Sequence, residues 1–136
     1  MDINNEARCF MWLLKKLLDD DSNYLLPVKE YTNVRPTQNL LGYYDRNYIY
    51  LIPSVAIGMS DNILIQHKAA PLNMQKVLKQ LFALNMIKAH WVLTDEVRYR
   101  PQKRIGKTRR RYITFYKKQF TKFIARECLG ESQRIC

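Results

Sequence analysis

The amino-acid sequence predicts an α+β fold. Its 136 residues suffice for one domain with one hydrophobic core. An apolar fraction of 47% is typical of a chain that folds and not of a disordered tail. Stretches with helical spacing of apolar residues alternate with short aromatic and β-branched stretches that end at turn residues. Helices and antiparallel strands are therefore expected in the same chain.

The first predicted helix begins at Asn4 or Asn5, since either side chain can cap it. Apolar residues then recur every three or four positions as far as Leu18, which gives the helix one apolar face. Aspartate, serine and asparagine at residues 19–23 end it. Residues 24–38 contain Pro27 and Pro36, which break helices, and this segment is interpreted as a linker or an irregular packed segment.

Residues 39–52 are predicted to form a β-hairpin. Asp45, Arg46 and Asn47 form a turn cluster, and the aromatic and β-branched run at 48–52 supplies the returning strand. Pro53 then opens a helical region at 54–70, in one or two pieces.

The clearest helix of the chain is predicted at residues 73–85. It places Met74, Val77, Leu78, Leu81 and Phe82 on one stripe. A short strand is expected just after it, at Met86 and Ile87.

Residues 97–116 are predicted to form a second hairpin with its tip at Ile105, Gly106 and Lys107, where glycine tolerates the backbone of a tight turn. Apolar residues at helical spacing in 117–128 predict a C-terminal helix. Two helices followed by a β-hairpin is the order of a winged helix–turn–helix, in which the hairpin is the wing. We therefore expect an N-terminal helix and linker at 1–38, a winged-helix DNA-binding domain at 39–128 and a flexible tail at 129–136.

Positive charge is concentrated in the second hairpin and the segment after it. The formal net charge is +11, and residues 97–126 contain twelve Lys or Arg and no Asp or Glu. Because like charges repel, a field of one sign is costly unless it meets a polyanion. Arginine also binds phosphate and guanine in a fork. The DNA contacts predicted on the wing are Arg98, Arg100, Lys103, Arg104, Lys107, Arg109, Arg110 and Arg111.

The helix at 73–85 is the second candidate contact, since the second helix of such a motif enters the major groove with its polar face outward. Its side chains predicted to read base edges or hold phosphates are Gln75, Lys76, Lys79 and Gln80. An ordinary exposed helix surface is the alternative, and the charge favours binding mainly through the wing. Tyr99 and Tyr112 lie among the cations and are open to either stacking on bases or packing against the core.

Enzymatic and metal chemistry are not predicted. The Gly106-Lys107-Thr108 sequence fails as a phosphate-binding loop because position 101 is proline where that motif needs glycine. Cys9, Cys128 and Cys136 lack metal-ligand spacing and are expected to be free thiols. No cofactor is expected. No apolar run is long enough to span a bilayer and no secretory signal is visible, so a cytoplasmic location without membrane contact is expected.

Residues 42–115 resemble the C-terminal winged-helix region of phage- and plasmid-type primase-helicases. More narrowly, they resemble the tail of MCM-like AAA+ helicases encoded by mobile elements such as staphylococcal cassette chromosomes. The resemblance rests on GYYD at 42–45 leading to YIYLIP at 48–53, on VLKQL at 77–81 ending in NMI at 85–87, and on KRIGK at 103–107 returning through RYI at 111–113.

The resemblance implies an accessory domain of a replicative helicase that unwinds DNA with ATP. The Walker motifs of such a helicase are not in this chain. On its own the chain is therefore expected to bind DNA, single- or double-stranded, and to hydrolyse nothing; an ATPase domain or helicase subunit is the implied protein partner. Two alternatives stay open: a stand-alone winged-helix transcriptional regulator that reads an operator as a dimer, and a protein-interaction module whose basic arm binds an acidic partner.

Overall fold

A computed structural model describes residues 5–30, 39–91, 97–105 and 108–125. The α-helices in these ranges are α1 (Asn5–Asp19), α2 (Pro53–Gln66), α3 (Met74–Ala83) and α4 (Lys117–Phe123), and Val28–Glu30 forms a short 3-10 helix. The strands are β1 (Tyr24–Pro27), β2 (Leu40–Tyr44), β3 (Tyr48–Leu51), β4 (His90–Trp91), β5 (Val97–Arg98), β6 (Gln102–Ile105), β7 (Thr108–Arg111) and β8 (Ile113–Tyr116). The predicted α+β class is confirmed.

The main sheet has the strand order β1-β2-β3-β8. β1 is parallel to β2, and the other two pairings are antiparallel. The predicted β2–β3 hairpin is confirmed: the Asp45 carboxylate accepts hydrogen bonds from the backbone N–H groups of Asn47 and Tyr48 at 2.9 and 2.8 Å. Gly42 lies opposite Leu51, and a Cβ there would clash with the Tyr50 carbonyl oxygen, so the close approach of these strands requires glycine.

The strand predicted at Met86 and Ile87 is a single antiparallel bridge between Ile87 and Phe115. The Tyr116 N–H donates to the Met86 carbonyl at 2.9 Å, and the Lys88 N–H donates to the Thr114 carbonyl at 2.8 Å. β8 therefore lies between β3 and the segment that follows α3.

The helices α1, α2 and α3 cover one face of the sheet. Phe10, Met11 and Leu14 of α1 are fully buried in the same cluster as Leu81 of α3 and Phe115 of β8. The apolar face predicted for α1 is confirmed. Of the one or two helical pieces predicted at 54–70, the structure has one: α2 continues through Gly58 without a break.

α3 begins after Asn73, whose side-chain oxygen accepts a hydrogen bond from the Lys76 N–H. The helix ends two residues before Asn85, which has a φ of 60°.

The N-terminal segment shares the core and the sheet of the rest of the chain. α1 packs against α2 and α3, and β1 pairs with β2. The C-terminal helix predicted at 117–128 is confirmed for Lys117–Phe123, and the predicted tail at 129–136 lies outside the described residues. No helix among the described residues is both long and apolar enough to cross a membrane.

The expectation of free thiols is wrong for Cys9, which is 2% exposed and disulfide-bonded. Cys128 and Cys136 lie outside the described residues. Phe123 and Ile124, at the C-terminal end of the described chain, pack against the cluster that contains Cys9. Spacing along the sequence does not reveal such a contact, because more than a hundred residues separate these positions.

Candidate nucleic-acid interface

The basic hairpin is shorter than the predicted range of 97–116: β6 and β7 form it, whereas β5 pairs with β4 and β8 pairs with β3. The register of β6 and β7 places cations opposite one another. Arg104 pairs with Arg109, and Lys103 pairs with Arg110. Directly paired residues of antiparallel strands point to the same face, where like charges repel each other. Neither strand contains a carboxylate. The hairpin therefore has a cation pair on each face, an arrangement that an anionic ligand would relieve.

One face of the hairpin is fixed to the outer face of the main sheet. Ile105 is 3% exposed and packs in a cluster with Tyr43, Tyr50 and Tyr112. The Lys103 ammonium lies 5.4 Å from the centroid of the Tyr50 ring, a distance typical of a cation–π contact. The hairpin is therefore docked on the sheet by β6, and its position is defined by an apolar anchor.

The second strand of the hairpin, β7, borders solvent. All four residues of β7 are exposed, and within the described residues neither Arg109 nor Arg110 has a carboxylate partner. Arg111 makes one long contact, 3.5 Å from Nη1 to the Arg100 carbonyl oxygen. These guanidinium groups keep most of their hydrogen-bond donors available for phosphate.

The two tyrosines among the cations pack inside the protein. Tyr112 is 1% exposed and meets Tyr43 and Tyr50 edge-on at centroid distances of 6.3 and 6.1 Å. Burial raises the pKa of its hydroxyl. Tyr99 packs edge-on against Phe82 of α3 at 5.6 Å. Base stacking is therefore not the role of Tyr112, and Tyr99 joins the base of the hairpin to α3.

The carboxylate of Asp45, in the turn between β2 and β3, accepts hydrogen bonds from within the protein. The Tyr50 hydroxyl donates to Asp45 at 2.7 Å. Although burial raises the pKa of Asp45, hydrogen bonds from Tyr50, Asn47 and Tyr48 hold it below its usual value. Burial, followed by the bond to Asp45, raises the pKa of Tyr50. The pair thus fixes the end of the β2–β3 hairpin, on whose outer face Lys103 lies.

The α3 candidates divide into two groups. Gln75, Lys76 and Lys79 are all exposed, but Lys76, like Gln80, contacts the start of α1. The Lys76 ammonium lies 3.0 Å from one oxygen of Glu6. Gln80 donates to the other oxygen at 2.8 Å and accepts the Ala7 N–H at 2.9 Å.

These contacts satisfy a free backbone donor at the start of α1. Hydrogen bonds from Gln80 and Lys76 lower the pKa of Glu6 to about 2. Two of the four predicted α3 contacts, Lys76 and Gln80, are thus bound to Glu6 of α1. Sequence reasoning missed these interactions because 74 residues separate Glu6 from Gln80.

The remaining predicted contacts are placed as follows. Arg100 and Arg104 are exposed. Arg98 lies in β5, and Lys107 lies outside the described residues. No set of three or more His, Cys, Asp or Glu in the described ranges could hold a metal ion.

Sequence reasoning also missed a group of aromatic and amide side chains at the far end of β3 and β8. It includes Tyr48, Asn85, Tyr116 and Gln119. No local motif marks this group, since it is assembled from three separate parts of the chain.

Comparison with known proteins adds no relative. The chain matches no protein-family model, no curated protein and no solved structure.

Proposed function

We propose that this chain is a DNA-binding domain of the winged-helix type that contacts DNA mainly through the β6–β7 hairpin. The observation that carries the proposal is the exposed row of arginines on β7. In the β6–β7 hairpin, cations lie opposite one another on both faces, and neither strand contains a carboxylate. Electrostatic repulsion of this kind is offset when phosphates bind and release their counterions.

The order of the elements supports the winged-helix assignment. Two consecutive helices, α2 and α3, are followed by a segment that returns through the hairpin to β8. β8 then pairs with β3, the strand that precedes the two helices. In this assignment α3 is the helix presented to the major groove, and Gln75 and Lys79 are its available side chains.

The accessory role in a replicative helicase rests on the resemblance of residues 42–115 to the tails of such enzymes. A domain with this role binds DNA largely without sequence preference. Its contacts are therefore made chiefly to phosphates, as the arginine row of β7 favours.

Fluorescence anisotropy with a random duplex, a palindromic duplex and a single strand tests the proposal, together with gel filtration. We expect a monomer that binds random and palindromic duplexes with similar affinity. With six or more phosphates bound, affinity falls by about a thousandfold between 50 and 200 mM salt. A dimer that prefers the palindrome would instead indicate a transcriptional regulator. Absence of binding to any DNA at low salt would refute the proposal and favour an acidic protein partner.

A further inference from the structure

A second polar site lies at the opposite end of β8 from the basic hairpin. It is a cleft of about 370 Å³, within the range of roughly 300–1,000 Å³ that is usual for small-molecule sites. It is an open cleft between the turn that joins β2 and β3, the segment after α3, and the end of β8 with the start of α4. The lining residues are Asn47, Tyr48, Asn85, Tyr116, Lys118 and Gln119.

Three carboxamide side chains of the cleft are available to a ligand. Within the described residues, no hydrogen bond is made by the side chains of Asn47, Asn85 or Gln119. A carboxamide presents a donor and an acceptor side by side, which is the pattern that reads the edge of a nucleobase. Lys118 is exposed and adds a cation at the rim. The cleft thus combines base-reading groups with a group that binds phosphate.

Aromatic rings connect the cleft to the hairpin. Along the outer face of the sheet, Tyr112 contacts Tyr50 at 6.1 Å, Tyr50 contacts Tyr48 at 5.9 Å, and Tyr48 contacts Tyr116 at 5.8 Å between ring centroids. Tyr48 and Tyr116 are directly paired across β3 and β8, and both are half-buried. Both tyrosines line the cleft, and the Lys88 ammonium lies 5.2 Å from the centroid of the Tyr48 ring.

We propose that this cleft binds an unpaired nucleobase from a DNA strand whose neighbouring phosphates lie on the β6–β7 hairpin. A base inside a duplex is stacked on both sides and cannot enter a cleft, whereas an unpaired base exposes its ring faces and its pairing edge. The rings of Tyr48 and Tyr116 contact the base, the three carboxamides hydrogen-bond its edge, and Lys118 binds the adjoining phosphate. This inference rests on the proposed DNA binding and specifies the form of DNA that is bound.

The test compares a blunt duplex with the same duplex carrying a short run of unpaired thymidines at its 5′ or 3′ end. Aromatic–base contacts predict that the extension tightens binding by the wild-type chain by about fivefold or more. The double variant Asn85→Gly, Gln119→Ala removes two carboxamides. Glycine is chosen because Asn85 has a φ of 60°, which alanine adopts poorly. We expect this variant to lose most of the advantage of the extension while its affinity for the blunt duplex stays unchanged.

A matched control, Asn62→Ala with Gln66→Ala, removes the same two kinds of amide from the exposed side of α2 and should keep the full advantage. Equal wild-type affinity for blunt and extended duplexes, or an unaltered advantage in the cleft variant, would overturn the inference and leave the proposed DNA binding intact. Absence of binding to either duplex would instead overturn the proposed function.

Photocrosslinking gives a readout that does not depend on the stability of a variant. With 5-bromodeoxyuridine in the unpaired extension, we expect mass spectrometry to find the crosslink on the peptide that contains Tyr48 or the one that contains Tyr116. Crosslinks confined to the β6–β7 hairpin, residues 102–111, would contradict the placement of the base in the cleft.

Discussion

The β6–β7 hairpin and the outer face of α3 contain similar cationic side chains, yet the fold surrounds them differently. On α3, Lys76 and Gln80 are held by Glu6 of α1. On β7, Arg109 and Arg110 are exposed and have no carboxylate partner in the described part of the chain. A cation that meets a carboxylate from a distant element contributes to the fold, whereas the exposed guanidinium groups of Arg109 and Arg110 remain available to a ligand.

The anchoring of the two regions also differs. α3 is buried along its inner stripe in the main core, through Val77, Leu78 and Leu81. The hairpin depends on the smaller cluster that holds Ile105. The hairpin is therefore the region in which a single apolar substitution is expected to move a charged surface.

The largest effect on DNA binding is expected from replacing Arg109, Arg110 and Arg111 with alanine. Removal of these charges should weaken affinity by about tenfold or more. It should also reduce the slope of log affinity against log salt by about 0.9 for each phosphate that the variant no longer binds. Anisotropy titrations over a series of salt concentrations measure both quantities.

The control for this variant replaces Lys16, Lys29 and Lys122, three exposed cations outside the hairpin, with alanine. It removes the same amount of charge. If it weakened binding as much as the arginine variant does, overall charge and not the hairpin would determine affinity.

Ile105→Ala tests the anchor. Removing a buried branched side chain should lower the free energy of unfolding by about 2–5 kcal/mol, as measured by urea denaturation. The affinity for DNA should fall less than in the triple arginine variant, because the charges stay. Ile65→Ala is the matched control, since Ile65 is 59% exposed and its replacement should change stability by less than about 0.5 kcal/mol. Equal effects at the two positions would mean that the hairpin is not docked.

Comparing Lys79→Ala with Lys76→Ala tests the division of α3. Lys79 is exposed, whereas Lys76 is paired with Glu6. If the helix approaches DNA, removing a phosphate-binding group at Lys79 should reduce the salt slope by about 1. The Lys76 variant should change the slope less. The opposite ranking in the same titrations would show that DNA binding displaces Glu6.

The smallest effect concerns acid stability. The pKa of Glu6 is about 2 in the folded chain against an ordinary value of 4.5, so its carboxylate favours the folded state at pH values above 4.5. That contribution is lost as the pH falls from 4.5 towards 2. Glu6→Gln should therefore show a shallower loss of stability over this range, measured by thermal unfolding at a series of pH values. Parallel curves for the two proteins would argue against the contacts of Glu6 with Lys76 and Gln80.

Local patterns predict much of the fold. Apolar spacing identifies α1 and α3, and the turn residues Asp45 and Asn47 identify the β2–β3 hairpin, because in each case the determining contacts lie within a few residues. The pairing of β1 with β2 was not predicted. Pro27 argues against a strand in the sequence, and the partner strand β2 begins more than ten residues after β1 ends.

The candidate site was predictable in its charge and not in its contacts. An acid-free run of arginines is visible in the sequence, but the docking of Ile105 among tyrosines depends on tertiary packing. The same holds for the hydrogen bonds between Gln80 and the start of α1. Each of these joins residues far apart in the chain, where periodicity carries no information.

Hydrogen exchange with and without a random DNA duplex tests most directly whether the hairpin is the principal DNA contact. We predict that DNA slows exchange in β6 and β7 more than in α3. Slowing confined to α3, or an equal change in both regions, would contradict the account.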